Sequence, residues 1–340
     1  MSALATASLK ADDVSLPAGT RALVLGSGKI GHETNCLGVA RALGLEPRVA
    51  AIRPRRFFAA LAPYGPVDPR DAPNRPGSPL APPFPDILLA SGRVTLPYFR
   101  AIKRLSKGRT FAVFLQDPRW SRASADVIWV PEHDRLRGEA VVVTATSPHP
   151  LSALALRQAR ATPDPRVAAL PGPRLALALG GPSAVYRFEA KDRDALCVIV
   201  RSVAQAGWSV MVTPSRRTPA EVLDALRDEL SGSPRPSFVW DGRGGNPYVA
   251  MLANAEAVLV TADSVNMLGE ALATHAPVYV YEPTGGDARM RGFVDRLVAR
   301  GQIRRWTGAF STWEREPVDA TIAIARAIAE RYRRFRAVGR

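Results

Sequence analysis

FVWDGRGGNPYVAMLANAEAVLVTADSVNMLGEALATHAPVYVYEP, residues 238–283, is the stretch whose reading decides the fold. Apolar runs at Ser237–Trp240, Ala257–Thr261 and Pro277–Tyr281 alternate with two segments of helical pattern. Asn246-Pro247 opens the first helix after a glycine loop, and the TADS turn opens the second. Short apolar runs separated by helices call for a parallel sheet covered on both faces.

The same alternation continues upstream. Strands are expected at Leu175–Leu179 and Ser209–Thr213, and the helix after TPSRR has Thr218 as N-cap, Pro219 at its first position and Glu221 completing a capping box. ATPDPRVAALPGPR, Ala161 to Arg174, reads as an interdomain linker. Before it lie TRALVL (residues 20–25), a glycine-rich turn, a helix from Glu33 to Leu43 and a second strand in LEPRVAAI. A proline-dense surface loop over 61–85 separates these from strands at Asp86–Ala90, Thr110–Leu115, Asp126–Val130 and Ala140–Thr144, with an amphipathic helix near Val94–Ser106. The expected organisation is α/β: a Rossmann-like domain over 1–165, a second over 174–316, and a basic C-terminal helix over 317–340 that crosses back to the first.

The chain has 340 residues, 46% of them hydrophobic, which is enough for two cores. No apolar run reaches the roughly 18 residues of a membrane span, and the N-terminus lacks the pattern of a signal peptide. Cys36 and Cys197 are far apart, neither a disulfide framework nor a metal spacing, so a reducing cytoplasm is the expected home. A formal charge of +15 implies anionic partners, but Arg supplies nearly all of it and the charge informs only where it clusters. No motif for nucleic-acid binding is present, and the oligomeric state is left open.

Four motifs carry candidate chemistry. In GSGKIGHETNCLGVARALG (26–44) the glycine spacing is not that of a dinucleotide fingerprint, and Lys29 is not followed by Ser or Thr as in a Walker loop. NAD and ATP are therefore disfavoured, while His32 at a helix start suits a general base. The alternative is that Gly31-His32 merely opens a surface helix. LGGPSAVYRF (179–188) offers backbone N–H groups at Gly180, Gly181 and Ser183 to a phosphate, or is only a corner. Ser215, Arg216 and Arg217 in VTPSRRTPAE follow a strand and precede a helix, where an arginine can fork phosphate oxygens or simply be solvated. Glu270 is a lone carboxylate in a small, apolar helical stretch, suited to accept from ribose hydroxyls unless it lies on a solvated face.

These motifs, together with FLQDPR, resemble a proteobacterial and plant family named for mitochondrial fission, the elongated-mitochondria family. They also resemble lipid-linked glycosyltransferases of the B fold, the peptidoglycan N-acetylglucosaminyltransferase among them. The resemblance spans Gly26 to about Pro283 and implies two Rossmann-like domains facing a cleft. It implies that His32 stands near the acceptor, that Gly181 and Ser183 face the donor diphosphate, and that Glu270 holds the donor ribose. Asp241 to Asn246, with Gly245 among them, would contact the base. Asp263-Ser264-Val265 stands where those enzymes carry Ser-Gly-Ala, and Lys29-Ile30 where they are richer in glycine. Asp192-Arg193-Asp194 reads as a helix-start charge cluster rather than a metal site.

The expectation is a metal-independent glycosyltransferase with no cofactor beyond its nucleotide-diphosphate sugar donor. Asp263 and Ser264 would join the donor site, and the acceptor would be associated with a membrane or envelope. The alternative is a non-catalytic relative that recruits a partner to a membrane. An anionic surface on the inner face of a membrane is expected to meet RPRRFF (53–58), YFRAIKRLSK (98–107) and RYRRFR (331–336), the alternative being that their aromatics are core and their arginines solvated.

Overall fold

The computed structural model describes residues 14–310 and 313–338. They form two compact units, one running to Pro150 and resuming at Ala320, the other spanning Leu151–Asp319.

The first unit holds strands β1 (Ala22–Gly26), β2 (Arg48–Ala51), β3 (Ile87–Ala90), β4 (Phe111–Phe114), β5 (Val127–Pro131) and β6 (Val141–Thr144), all parallel, in the order β2-β1-β3-β4-β5-β6. Its helices are α1 (Ile30–Ala42), α2 (Arg56–Leu61) and α3 (Leu96–Leu105). The central strands are apolar at every position because both faces are covered. Val24, Leu89 and Val113 face α1 and the C-terminal helix, while Leu23, Leu88 and Ala112 face α3. Gly38 lies mid-helix in α1 because a Cβ there would sit 2.5 Å from the His149 carbonyl oxygen.

The second unit begins with α4 (Ala153–Ala161) and α5 (Pro165–Ala168). Its strands are β7 (Arg174–Leu179), β8 (Ser209–Pro214), β9 (Phe238–Val239), β10 (Ala257–Thr261), β11 (Val278–Tyr281) and β12 (Arg304–Arg305). They too are all parallel, in the order β12-β11-β10-β7-β8-β9. Helices α6 (Ala190–Gln205), α7 (Ala220–Ser231), α8 (Tyr248–Ala253), α9 (Val265–Leu272) and α10 (Ala288–Ala299) connect them. Strand order reverses between β7 and β10, the doubly wound arrangement. Each unit is thus Rossmann-like, as the α/β reading required.

The unit boundary lies at Pro150/Leu151 rather than in the proline-rich stretch from Ala161 to Arg174. The reason is packing: Arg160 donates to the Ala253 carbonyl at 2.9 Å and Asn254 donates to that of Ala159 at 3.0 Å, so α4 docks on α8. Helix α11 (Ala320–Val338) belongs to the first unit. Ile324 and Ile328 are fully buried, Tyr332 meets Phe111 edge to face at 5.4 Å, and Thr321 bonds both the N–H and the carbonyl of His149 at 2.8 Å.

These contacts correct two of the three segments expected to form a basic docking face. In 98–107, Phe99 and Ile102 are core side chains, and Lys103 pairs with Asp126 at 2.6 Å. In 331–336, Tyr332 is buried and Phe335 packs on Phe111. Only in 53–58 does an aromatic, Phe57, remain 67% exposed, and there Arg55 is committed to the buried Asp68. Among the described residues no helix is long and apolar enough to cross a membrane.

Replacing Ile328 with Ala should destabilise the first unit by about 2–5 kcal/mol, the usual cost of emptying a buried aliphatic site. Urea denaturation of the full chain reads this. An unchanged first transition would mean that α11 is not part of that core.

Candidate functional site

In an open parallel sheet, ligands bind outside the carboxyl ends of the strands where the order reverses. In the second unit that place is the pair of turns after β7 and β10, and one carboxylate organises it. Asp263 is buried, and its Oδ2 accepts the Gly181 N–H at 2.8 Å and the Arg217 guanidinium at 2.9 Å. Burial pushes its pKa up, and the Gly181 amide, Thr261 and Arg217 oppose that shift. Arg217 also donates to the carbonyls of Gly181 at 2.6 Å and Pro182 at 2.9 Å, tying the turns after β7, β8 and β10 together. Both glycines are demanded by this closeness. A Cβ on Gly180 would lie 2.0 Å from Asp263 Oδ2, and one on Gly181 would lie 2.1 Å from the Arg217 carbonyl oxygen.

Several residues read from the sequence as ligand contacts are therefore occupied by bonds within or between these turns. The Gly180 N–H donates to Thr261 Oγ1 at 2.7 Å, and the Gly181 N–H goes to Asp263. Ser183 Oγ accepts from the Tyr186 N–H at 3.1 Å, and Ser215 Oγ accepts from that of Arg217 at 3.2 Å. Arg216 is exposed and makes none of these contacts, so its neighbour Arg217 is the cation that reaches the turn. Thr218 does not cap α7; its hydroxyl donates to the Gly180 carbonyl, and Pro219 holds the cap position. The oxygens of Asp192 accept from the Glu189 N–H, the Tyr281 hydroxyl and the Thr284 N–H, so this carboxylate closes the start of α6.

Helix α9 starts at Val265, with Ser264 at its N-cap making no side-chain cap bond. Leu268, Gly269, Ala271 and Leu272 are buried, and Glu270 shares that helix. Glu270 Oε2 accepts the Tyr248 hydroxyl at 2.9 Å, the only hydrogen bond to this carboxylate among the described residues. Burial raises the Glu270 pKa to about 7, against the Tyr248 bond, which lowers it. Burial and the neighbouring carboxylate push the Tyr248 hydroxyl upward in turn. Residues 241–246 form an exposed loop, pinned where Arg166 donates to the Gly245 carbonyl at 2.7 Å. Asn246 Oδ1 accepts the Tyr248 N–H at 3.0 Å, so Asn246 is joined to Glu270 through Tyr248. The far end of α9 is closed by Arg315, which donates to the carbonyls of Ala271, Leu272, Thr274 and Ala276. A cation at a helix C-terminus is favourable, and burial lowers this one to about 10.

In the first unit the order reverses between β1 and β3, and His32 stands there. Its Nδ1 is 3.1 Å from Ser27 Oγ, and a Cβ on Gly92, just past β3, would lie 2.6 Å from the same nitrogen. Glu33 accepts the Gly28 N–H at 3.0 Å. Burial lowers the His32 pKa, as does Lys29, against Glu33, so the imidazole is neutral at pH 7 and can accept a proton.

Tyr248 and Arg315 were not singled out by the motifs, and Arg217 was read only together with Ser215 and Arg216. Arg217 carried a signal, being one of two adjacent arginines at a strand end. Tyr248 and Arg315 carried none, since each meets its partner far along the chain.

The family model described as "Mitochondrial fission ELM1" matches residues 30–332. The mitochondrial fission protein ELM1 of Arabidopsis thaliana is 31% identical over 267 residues, covering 71% of this chain and 62% of that protein. The chain thus spans less than two thirds of the plant relative. An uncharacterized protein of Rickettsia prowazekii is 28% identical over 133 residues, 36% of each chain. Among solved structures, MurG of Acinetobacter baumannii aligns with a TM-score of 0.45 and 14% identity, covering 92% of this chain and 95% of that one. The UDP-GlcNAc 2-epimerase of Methanocaldococcus jannaschii gives 0.48 and 12%, covering 94% and 99%.

Glu270 makes a testable demand on stability. The folded state holds its proton up to about pH 7, whereas the unfolded chain releases it near 4.5. The folded state therefore binds more protons across that window, and stability falls as pH rises through it. Glu270→Gln should flatten this dependence and be on the order of 1–3 kcal/mol more stable than the parent at pH 8. Urea midpoints at pH 5 and pH 8 measure it; parallel profiles would refute the assignment.

Proposed function

The chain belongs to the mitochondrial fission ELM1 family, and on that footing we propose that its second unit binds a nucleotide-diphosphate sugar and that its reaction is sugar transfer. The observation that carries this reading is Glu270: a half-buried carboxylate, costly to stability, with a single protein hydrogen bond among the described residues, on the helix that follows β10. Ribose hydroxyls would donate to it, and the loop 241–246 would meet the base.

With the Gly180 and Gly181 amides already bonded, the diphosphate falls to the first turn of α9 and to Arg217, which is 43% exposed and within reach of solvent. These groups would stabilise the departing nucleoside diphosphate without a metal. Sugar transfer needs a base for the proton that an acceptor hydroxyl loses as its oxygen attacks the anomeric carbon, and His32 of the first unit is the candidate. The sugar–phosphate bond then breaks, and its electron pair leaves with the diphosphate.

A second reading has its own support. The Asp263 carboxylate occupies the amide that the glycine turn would offer a phosphate, which favours a protein that keeps the fold and no longer transfers sugar. The two readings separate in a thermal-shift panel of nucleoside diphosphates and nucleotide sugars. A ligand at about one hundred times its Kd adds roughly 2.7 kcal/mol of stability. Glu270→Gln should weaken that ligand about ten- to hundredfold, as loss of a charged acceptor does. His32→Ala should lower turnover far more than donor affinity. Silence across the whole panel would exclude the nucleotide site, and binding with no transfer to any acceptor would leave the non-catalytic reading.

A further inference from the structure

A second candidate site lies wholly in the first unit. A cavity of about 820 Å³ opens beside the ends of β3 and β4, lined among others by Leu61, Tyr64, Arg93, Phe114, Gln116 and Arg119. It adjoins His32, because Gly92 packs on that imidazole and Arg93 is the next residue.

The charge of this cavity is unbalanced. Arg93 donates to the carbonyls of Ala59 at 3.1 Å, Ala60 at 3.4 Å and Ala62 at 2.7 Å. Carbonyls hold a guanidinium in place and leave its charge uncompensated. Asp117, the carboxylate of the lining, is matched by Arg122 at 2.9 Å and accepts the Arg119 N–H at 2.7 Å. The Arg119 guanidinium is exposed, and its charge also acts on Asp117. Two cations thus line the cavity with one carboxylate, Asp117, which Arg122 also pairs.

Its rim is apolar. Tyr64 and Leu61 of the lining are 60% and 41% exposed, and the exposed Phe57 (67%) and Trp120 (84%) lie one helical turn before Leu61 and next to Arg119 in the chain, respectively. Phe57 and Leu61 are neighbours one turn apart on α2. Arg100 holds the two sides of the rim together, donating to Pro63 O at 2.6 Å, Tyr64 O at 3.3 Å and Ser121 Oγ at 2.9 Å. Cations in excess, and the exposed Leu61 and Tyr64 in the same lining, are complementary to a single kind of molecule.

We propose that this cavity binds an anionic amphiphile, its phosphate or carboxylate head between Arg93 and Arg119 and its chain leaving over Leu61 and Tyr64. The site rests on the first unit alone, so its failure and that of the nucleotide reading are independent.

Trp120, next to Arg119 in the chain, is the reporter. The full chain is titrated with decyl phosphate below its micelle concentration, and the Trp120→Phe spectrum is subtracted to isolate that ring. A saturable change in Trp120 emission is expected, with decanol, decyltrimethylammonium and inorganic phosphate each binding about ten- to hundredfold more weakly. Arg119 has φ 52°, a conformation Asn tolerates, so Arg119→Asn removes the charge without new backbone strain. It should weaken decyl phosphate by the same factor while the thermal midpoint holds. Equal response to the neutral or cationic chain, or unchanged affinity in Arg119→Asn, overturns the proposal. So does a response confined to acidic phospholipid vesicles, which would make the rim a membrane-contacting surface and the cavity incidental.

Discussion

The Asp263 carboxylate is the point through which the second unit's ligand edge is assembled. Three turns leave the sheet on that edge, each at the end of a different strand, and nothing in a parallel sheet fixes such turns to one another. Asp263 takes the amide of one and the guanidinium of another, and Arg217 returns to the carbonyls of the first. The absence of side chains at Gly180 and Gly181 follows from this closeness, since a methyl at either would strike the carboxylate or the opposite backbone. A glycine pair that resembles a phosphate cradle is, in its first role, the space that lets the turns meet.

In the proposed reading, that arrangement leaves ligand binding to α9. The helix is fixed at its far end by Arg315, which donates to the carbonyls of Ala271, Leu272, Thr274 and Ala276. With that end closed, its free N–H groups and Glu270 are held in a constant relation to β10. A carboxyl group kept near neutrality by burial costs stability above pH 7. Apolar residues surround it on its own helix, so packing alone would be served better by Leu or Met. A group retained against folding stability is where a binding role is to be sought.

The first unit answers to a different constraint. Its sheet is covered by α11, brought back from the far end of the chain, and this consumes aromatic and aliphatic residues that look amphipathic in sequence. Some of its cations are likewise committed to carboxylates, as Arg55 is to Asp68 and Lys103 to Asp126, although 46 Lys and Arg against 31 Asp and Glu leave the whole chain a net +15.

The sequence by itself determined the two parallel sheets, because apolar runs such as Ile87–Ala90 and Ala257–Thr261 can only be buried on both faces. It also located the turns at their carboxyl ends and the isolated carboxylate at position 270, since glycine and a lone charge stand out against apolar neighbours. It could not choose Arg217 over Arg216, nor turn Thr218 from a cap into a strap on the Gly180 carbonyl. Those outcomes depend on which way a loop faces once three strand ends converge. Nor could it show that Phe99 and Tyr332 are core while Phe57 is not, because all three stand beside arginines in the sequence. Periodicity reports that a side chain is apolar. Whether another element comes to cover it is decided by contacts such as α11 on β4, made between residues hundreds of positions apart, and only the tertiary structure contains those.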